Sequence, residues 1–171
     1  MSTLELEAAP LTAAAFAPFG DVVEAGDRFA LINRGTTRMY ADLAKIDLDA
    51  QGGTPRVSMY RVAPYELPLT IGMLERHPLS SQLFVPLDAA AFLVIVAPGG
   101  ADVIDPSSVR AFVTSGHQGV NYRRGTWHHP VIALEHPTEF LVVDRAGAGR
   151  NCDEFHFGDG ARIVVNCGGS P

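Results

Sequence analysis

Apolar and polar residues alternate along this chain in short runs, and most of the runs are bounded by its 17 glycines and 12 prolines. A period of two marks an extended strand with one buried face. The pattern predicts strands at Arg28 to Asn33, Pro55 to Ala63, Leu69 to Arg76, Gln82 to Pro86, Ala91 to Ala97, Arg110 to Thr114, Val131 to Leu134, Glu139 to Arg145 and Ala161 to Val165. Helix is scarce. Thr12 can cap a short helix that Pro18 and Gly20 stop, and Asp105 followed by Pro106 can open a single turn. Many short strands with turns between them predict a mainly β fold, a sandwich or a barrel, in which strand side chains of one parity wall any pocket.

At 171 residues, 47% hydrophobic and 19% charged, the chain can bury one core, so residues 1–171 read as a single domain. The net charge of -6 and the absence of a basic stripe argue against nucleic acid as a partner. The most apolar run, Ala89 to Ala97, is too short to cross a bilayer and suits a buried strand. An acidic start, Met1 to Glu7, lacks the pattern of a secretory signal and predicts a cytoplasmic protein. In that compartment Cys152 and Cys167 are expected to be free thiols.

Polar residues on apolar strand faces are the candidates for chemistry, because a buried charge must be paired, hydrogen-bonded or functional. Alternation places Ile71, Met73, Glu75 and His77 on one face, although a strand ending at Glu75 would turn the polar pair to water. The segment Gly119 to Pro130 holds the only Trp, Trp127, with Arg123-Arg124 and His128-His129. Adjacent strand residues point to opposite faces, so only one of the two histidines can enter a given pocket. Arg61 in Ser58-Met59-Tyr60-Arg61-Val62 offers a planar fork suited to an acidic substrate. Gln82 is polar beside Leu83-Phe84-Val85, and Asp144 with Arg145 reads as a structural ion pair.

Taken together, Leu67 to Ile71, Leu74-Glu75-Arg76-His77-Pro78-Leu79, Arg110-Ala111-Phe112, Gly119 to Tyr122 and Trp127-His128-His129-Pro130 resemble the ureidoglycolate lyase family. The resemblance covers roughly the first 155 residues and leaves the tail from about Glu154 without a recognisable pattern. It implies a cupin-like β-barrel of jelly-roll type, a homodimer, and the intracellular cleavage of (S)-ureidoglycolate to urea and glyoxylate. On that reading Glu75 and His128 are the acid and base, in an order left open, and His77 and Gln82 orient the substrate. Arg61 or Arg123 clamps its carboxylate, and Trp127 lies against it.

Gly125-Thr126-Trp127-His128 resembles the end of the second cupin motif, and Glu75 to Gln82 resembles the first, with Glu75 in place of a His and Gln82 in place of a Glu. Glu75, His77, Gln82 and His128 could therefore hold a divalent metal, and the family is associated with nickel. The amide is a poor ligand for such an ion, and nothing in the sequence requires a cofactor. Two other functions stay open at this point: a metal-dependent amidohydrolase that releases ammonia, and a non-catalytic cupin that binds a small acid.

Overall fold

The run Phe92–Ala97 is buried along its whole length, and its two faces serve two different cores. Phe92, Val94 and Val96 pack with Phe16, Phe84, Phe112, Tyr122 and Phe140, whereas Leu93, Ile95 and Ala97 pack with Leu74, Trp127, Ile132 and Ile163. A strand with layers on both sides cannot alternate with polar residues, which is why this segment is continuously apolar. The computed structural model describes residues 2–158 and 161–168.

Two large sheets face one another across the first core. A seven-stranded sheet runs in the order Asp153–His156, Met73–Arg76, Trp127–His128, Phe92–Ala97, Arg110–Val113, Ala9–Pro10, with Ile132–Ala133 also paired to Phe92–Ala97. Opposite it stand Gly20–Val23, Gly119–Tyr122, Gln82–Pro86, Thr138–Ala146 and Thr54–Val62, in that order. A smaller sheet of Ser2–Glu7, Ala161–Asn166 and Leu69–Ile71 covers the second core, its first two strands parallel. The fold is the mainly β, cupin-type architecture expected, built as facing sheets; among the described residues they do not hydrogen-bond into a closed barrel.

Local chemistry sets the few helical turns. Thr12 Oγ1 accepts from Ala15 N at 3.2 Å and opens Ala13–Phe16, and the Asp105 side chain accepts from Ser107 N at 2.9 Å ahead of Pro106–Ser108. The expected strand from Leu69 to Arg76 is two strands in two sheets, Leu69–Ile71 and Met73–Arg76, broken at Gly72. The break resets the alternation, so Ile71 and Leu74 share the second core while Glu75 turns the other way. The described part of the tail adds two strands: Asp153–His156 extends the large sheet, and Ala161–Asn166 completes the small one.

Phe92 and Phe140 meet edge to face at 5.1 Å between ring centres, and neither is exposed. Phe92→Ala is expected to lower stability in guanidinium unfolding by about 3–5 kcal/mol, against ~0.5 kcal/mol for Val103→Ala on an exposed loop. Equal effects would remove Phe92 from the structural centre of the fold.

Candidate active site

A cavity of about 650 Å³ opens beside the first core, lined among others by Glu75, His77, Gln82, Tyr60, Arg56 and Arg150. Strands Thr54–Val62 and Met73–Arg76 supply Arg56, Tyr60 and Glu75 to its wall. Met73–Arg76 pairs with Trp127–His128 so that Glu75 lies directly across from His128, and His77 follows where the chain leaves the strand. The parity that turns Glu75 and His128 inward turns Trp127 outward, into the second core. There its Nε1 donates to the Ala101 carbonyl at 3.0 Å and the Arg76 guanidinium covers its ring at 4.6 Å.

The two imidazoles are oriented from behind. His128 is 1% exposed, lies flat against the Tyr122 ring at 4.2 Å, and its Nδ1 faces the Thr126 carbonyl at 3.1 Å. His77 Nδ1 lies 2.6 Å from the Asn151 carbonyl. Asn151 is itself fixed, because its Oδ1 accepts from Leu79 N and its Nδ2 donates to Ser80 Oγ. A carbonyl only accepts, so in each ring Nδ1 carries the proton and Nε2 is turned toward Glu75 Oε1, 4.0 Å away in His77 and 3.4 Å in His128. His77 Nε2 lies 3.0 Å from the end of the Gln82 side chain, whose amide N–H donates to it when the amide is turned to match a ring protonated at Nδ1. His128 Nε2 is buried without a hydrogen-bond partner, 3.4 Å from Glu75 Oε1 and not aligned to bond with it.

These neighbours set the charges. Burial pushes the Glu75 carboxyl up, but His128, His77 and His129 more than offset it, and Glu75 stays below its ordinary value and ionised at neutral pH. Burial and the nearby His128 push His77 down; the Asn151 carbonyl, Glu75 and Gln82 only partly oppose them, so His77 is neutral. Tyr60 is pushed up by burial and by the charge of Asp144, so its phenol keeps its proton.

Three expected substrate contacts lie elsewhere. Arg61 has the opposite parity from Arg56 and Tyr60 on Thr54–Val62, so it points off the outer face, 78% exposed, and donates to Glu139 at 2.5 and 2.9 Å. Arg123 stands at a separate cavity and donates to the Ala17 carbonyl at 3.1 Å, and Trp127 is a core residue. Nor do Asp144 and Arg145 pair with each other, since neighbours on a strand face apart. Asp144 is gripped by Arg56 through Nε at 2.8 Å and Nη2 at 2.7 Å, and Arg145 holds the Ala50 and Ala148 carbonyls. Sequence reasoning missed Arg56, Tyr60, Arg150 and Cys152 as wall residues. Arg56 and Tyr60 were within reach of the alternation in their strand, but Arg150 and Cys152 come from an irregular turn that carries no periodic signal.

Glu75, His77 and His128 also fit a divalent transition metal. Their ligand atoms lie within 4.8 Å of one another, both imidazoles are held at Nδ1 by backbone carbonyls, and the His128 Nε2 lacks a partner. Gln82 is occupied with His77 and does not complete a fourth strong ligand.

Fold and cavity together define a cupin-type protein with an ionised carboxylate set beside two imidazoles. The model of the ureidoglycolate lyase family matches residues 3–164, and the chain belongs to that family. It is 56% identical over 155 residues to the ureidoglycolate lyase of Burkholderia mallei (strain NCTC 10229), covering 90% of this chain and 89% of that one. It is 51% identical over 167 residues to the ureidoglycolate lyase of Pseudomonas aeruginosa (strain LESB58), covering 97% of both chains.

Arg56→Met strands the nearly buried Asp144 carboxylate and is expected to cost about 1–3 kcal/mol in guanidinium unfolding, whereas Arg61→Met breaks an exposed pair worth ~0–1 kcal/mol. The reverse order would contradict the placement of the two side chains.

Proposed function

We propose that this chain is a urea-releasing lyase that cleaves (S)-ureidoglycolate to urea and glyoxylate. The observation that carries the reading is the ionised Glu75 lying 3.4 Å from the unpartnered Nε2 of His128, in the pocket of a chain that belongs to the ureidoglycolate lyase family. The reaction collapses a carbon that bears both a hydroxyl and a urea nitrogen. The hydroxyl loses its proton, its electron pair forms the aldehyde carbonyl, the carbon to nitrogen bond breaks, and the departing nitrogen takes up a proton. No water is consumed.

Glu75, being ionised, takes the hydroxyl proton, and that proton passes through His128 Nε2, 3.4 Å from Glu75 Oε1, to the leaving nitrogen; each such role contributes roughly 10²–10⁴ in rate. His77, neutral and fixed between Asn151 and Gln82, orients the substrate. Arg150, 79% exposed at the mouth, donates Nε to the Cys152 carbonyl at 3.0 Å and lies 3.4 Å from Asp153, and its remaining N–H groups take the substrate carboxylate beside Arg56, in place of the outward Arg61 and the distant Arg123. A divalent ion such as nickel would be held by Glu75, His77 and His128 and would polarise the substrate oxygens.

The coarser setting follows the same reading. No helix is long and apolar enough to cross a membrane. We place the chain in the cytoplasm, where the unpaired Cys152 and Cys167 suit a reducing compartment, with no nucleic-acid partner. We also propose a homodimer formed through the outer face of the five-stranded sheet, where Val57 and Met59 are 67% and 61% exposed beside Leu141 and Val143. Met59→Glu is then expected to shift the sedimentation coefficient from dimer to monomer, and an unchanged value would move the interface elsewhere.

The direct test is to incubate chelator-treated protein with racemic ureidoglycolate and assay products with and without added divalent metal. Equimolar urea and glyoxylate are expected, and ammonia in place of urea would make the protein an amidohydrolase. His128→Ala is expected to lower kcat by about 10²–10⁴ without unfolding the chain, and full activity would remove His128 from the proton transfers.

A further inference from the structure

A second cavity, of about 320 Å³, lies behind the five-stranded sheet, where Ser81 and Asn121 turn away from the face that carries Gln82 and Tyr122. Asn121 is fully buried, and its amide has only one workable orientation. Its Nδ2 donates to Asp21 Oδ2 at 2.9 Å and to the Lys45 carbonyl at 3.0 Å, both of them acceptors, which leaves Oδ1 buried with no donor. Arg124 has the complementary deficit: Asp47 takes its Nη2, and its Nε is buried with no acceptor.

Charge adds an independent constraint. Lys45, Arg123 and Arg124 face Asp21 and Asp47, with Asp49 Oδ1 3.7 Å from Arg124 Nη2, and among the described residues neither Lys45 nor Arg123 forms an ion pair. The Asp21 carboxylate is already engaged by Asn121 and by the Lys45 backbone N–H at 3.0 Å. Water satisfies the two orphaned atoms but gives Lys45 and Arg123 no anionic partner. A simple anion matches the cations and Arg124 Nε but brings no proton for Asn121 Oδ1, and a neutral amide leaves the cations uncompensated.

We propose that this cavity is a binding site for a small 2-hydroxycarboxylate, whose carboxylate accepts from Arg124 Nε and faces Lys45 and Arg123, and whose hydroxyl donates to Asn121 Oδ1. The site does not rest on the activity proposed above, but it is joined to the first cavity. Gly125 N, next to Arg124, donates to the His77 carbonyl at 2.9 Å, and the Thr126 carbonyl holds His128.

Glycolate titrated into the intact 171-residue chain, followed by the NMR signals of the Asn121 side-chain amide and Arg124 Nε–H, tests the assignment. Saturable shifts at both groups are expected. They should weaken roughly tenfold in the Lys45→Gln, Arg123→Gln double variant, whose changes are exposed, and roughly tenfold when acetate replaces glycolate. The same spectra establish that the variant is folded. Shifts confined to the Gln82 amide and the His77 ring would place glycolate in the first cavity alone and overturn the proposal. Equal affinity for acetate would overturn the assigned ligand class.

Discussion

The Glu75 carboxylate is largely withdrawn from water, with its side chain 22% exposed, and a charge so placed has to be compensated by its immediate neighbours. His128 sits across the strand pair, His77 follows two residues on, and both rings are held from behind by backbone carbonyls. That requirement explains features that look unrelated in the chain. Asn151 must be fixed by Ser80 and Leu79 because it fixes His77, and Tyr122 lies flat on His128 and sets that ring's plane together with the Thr126 carbonyl. The cupin-type layers supply the rigidity such an arrangement needs.

Rigidity comes mainly from Phe92–Ala97, whose two faces knit the layers together. It pairs directly with Trp127–His128, so the strand that anchors both cores also fixes the position of His128. Trp127 and His128 divide this work by parity alone, one residue filling the second core and the next turning to Glu75 and Tyr122. The adjacent His129 faces Pro130 and the edge of Tyr65 instead.

Much of this was legible in the sequence. The β class, the Thr12 and Asp105 caps, the doubly buried run and the inward turn of Glu75, His77, Gln82 and His128 all follow from period-two alternation, polar residues on apolar strands and the family resemblance. The substrate arginine was not, because parity on Thr54–Val62 depends on which sheet face is covered. Counting alternate residues gives two faces and cannot say which is inner, so Arg61 and Arg56 were indistinguishable until Phe84 and Phe140 fixed the buried side. The switch of sheet at Gly72 was hidden for a related reason: a single glycine interrupts the pattern without changing its composition. Irregular backbone such as Arg150 to Cys152 carries no period at all, and its place on the cavity wall comes from long-range pairing.

The central claim is that an ionised Glu75 beside His128 performs the proton transfers, and the isosteric Glu75→Gln change examines it most directly. The amide keeps the volume and removes the base. The account predicts a folded protein that releases urea from ureidoglycolate about 10²–10⁴ times more slowly than the unsubstituted chain. A folded Glu75→Gln protein with undiminished kcat would contradict it.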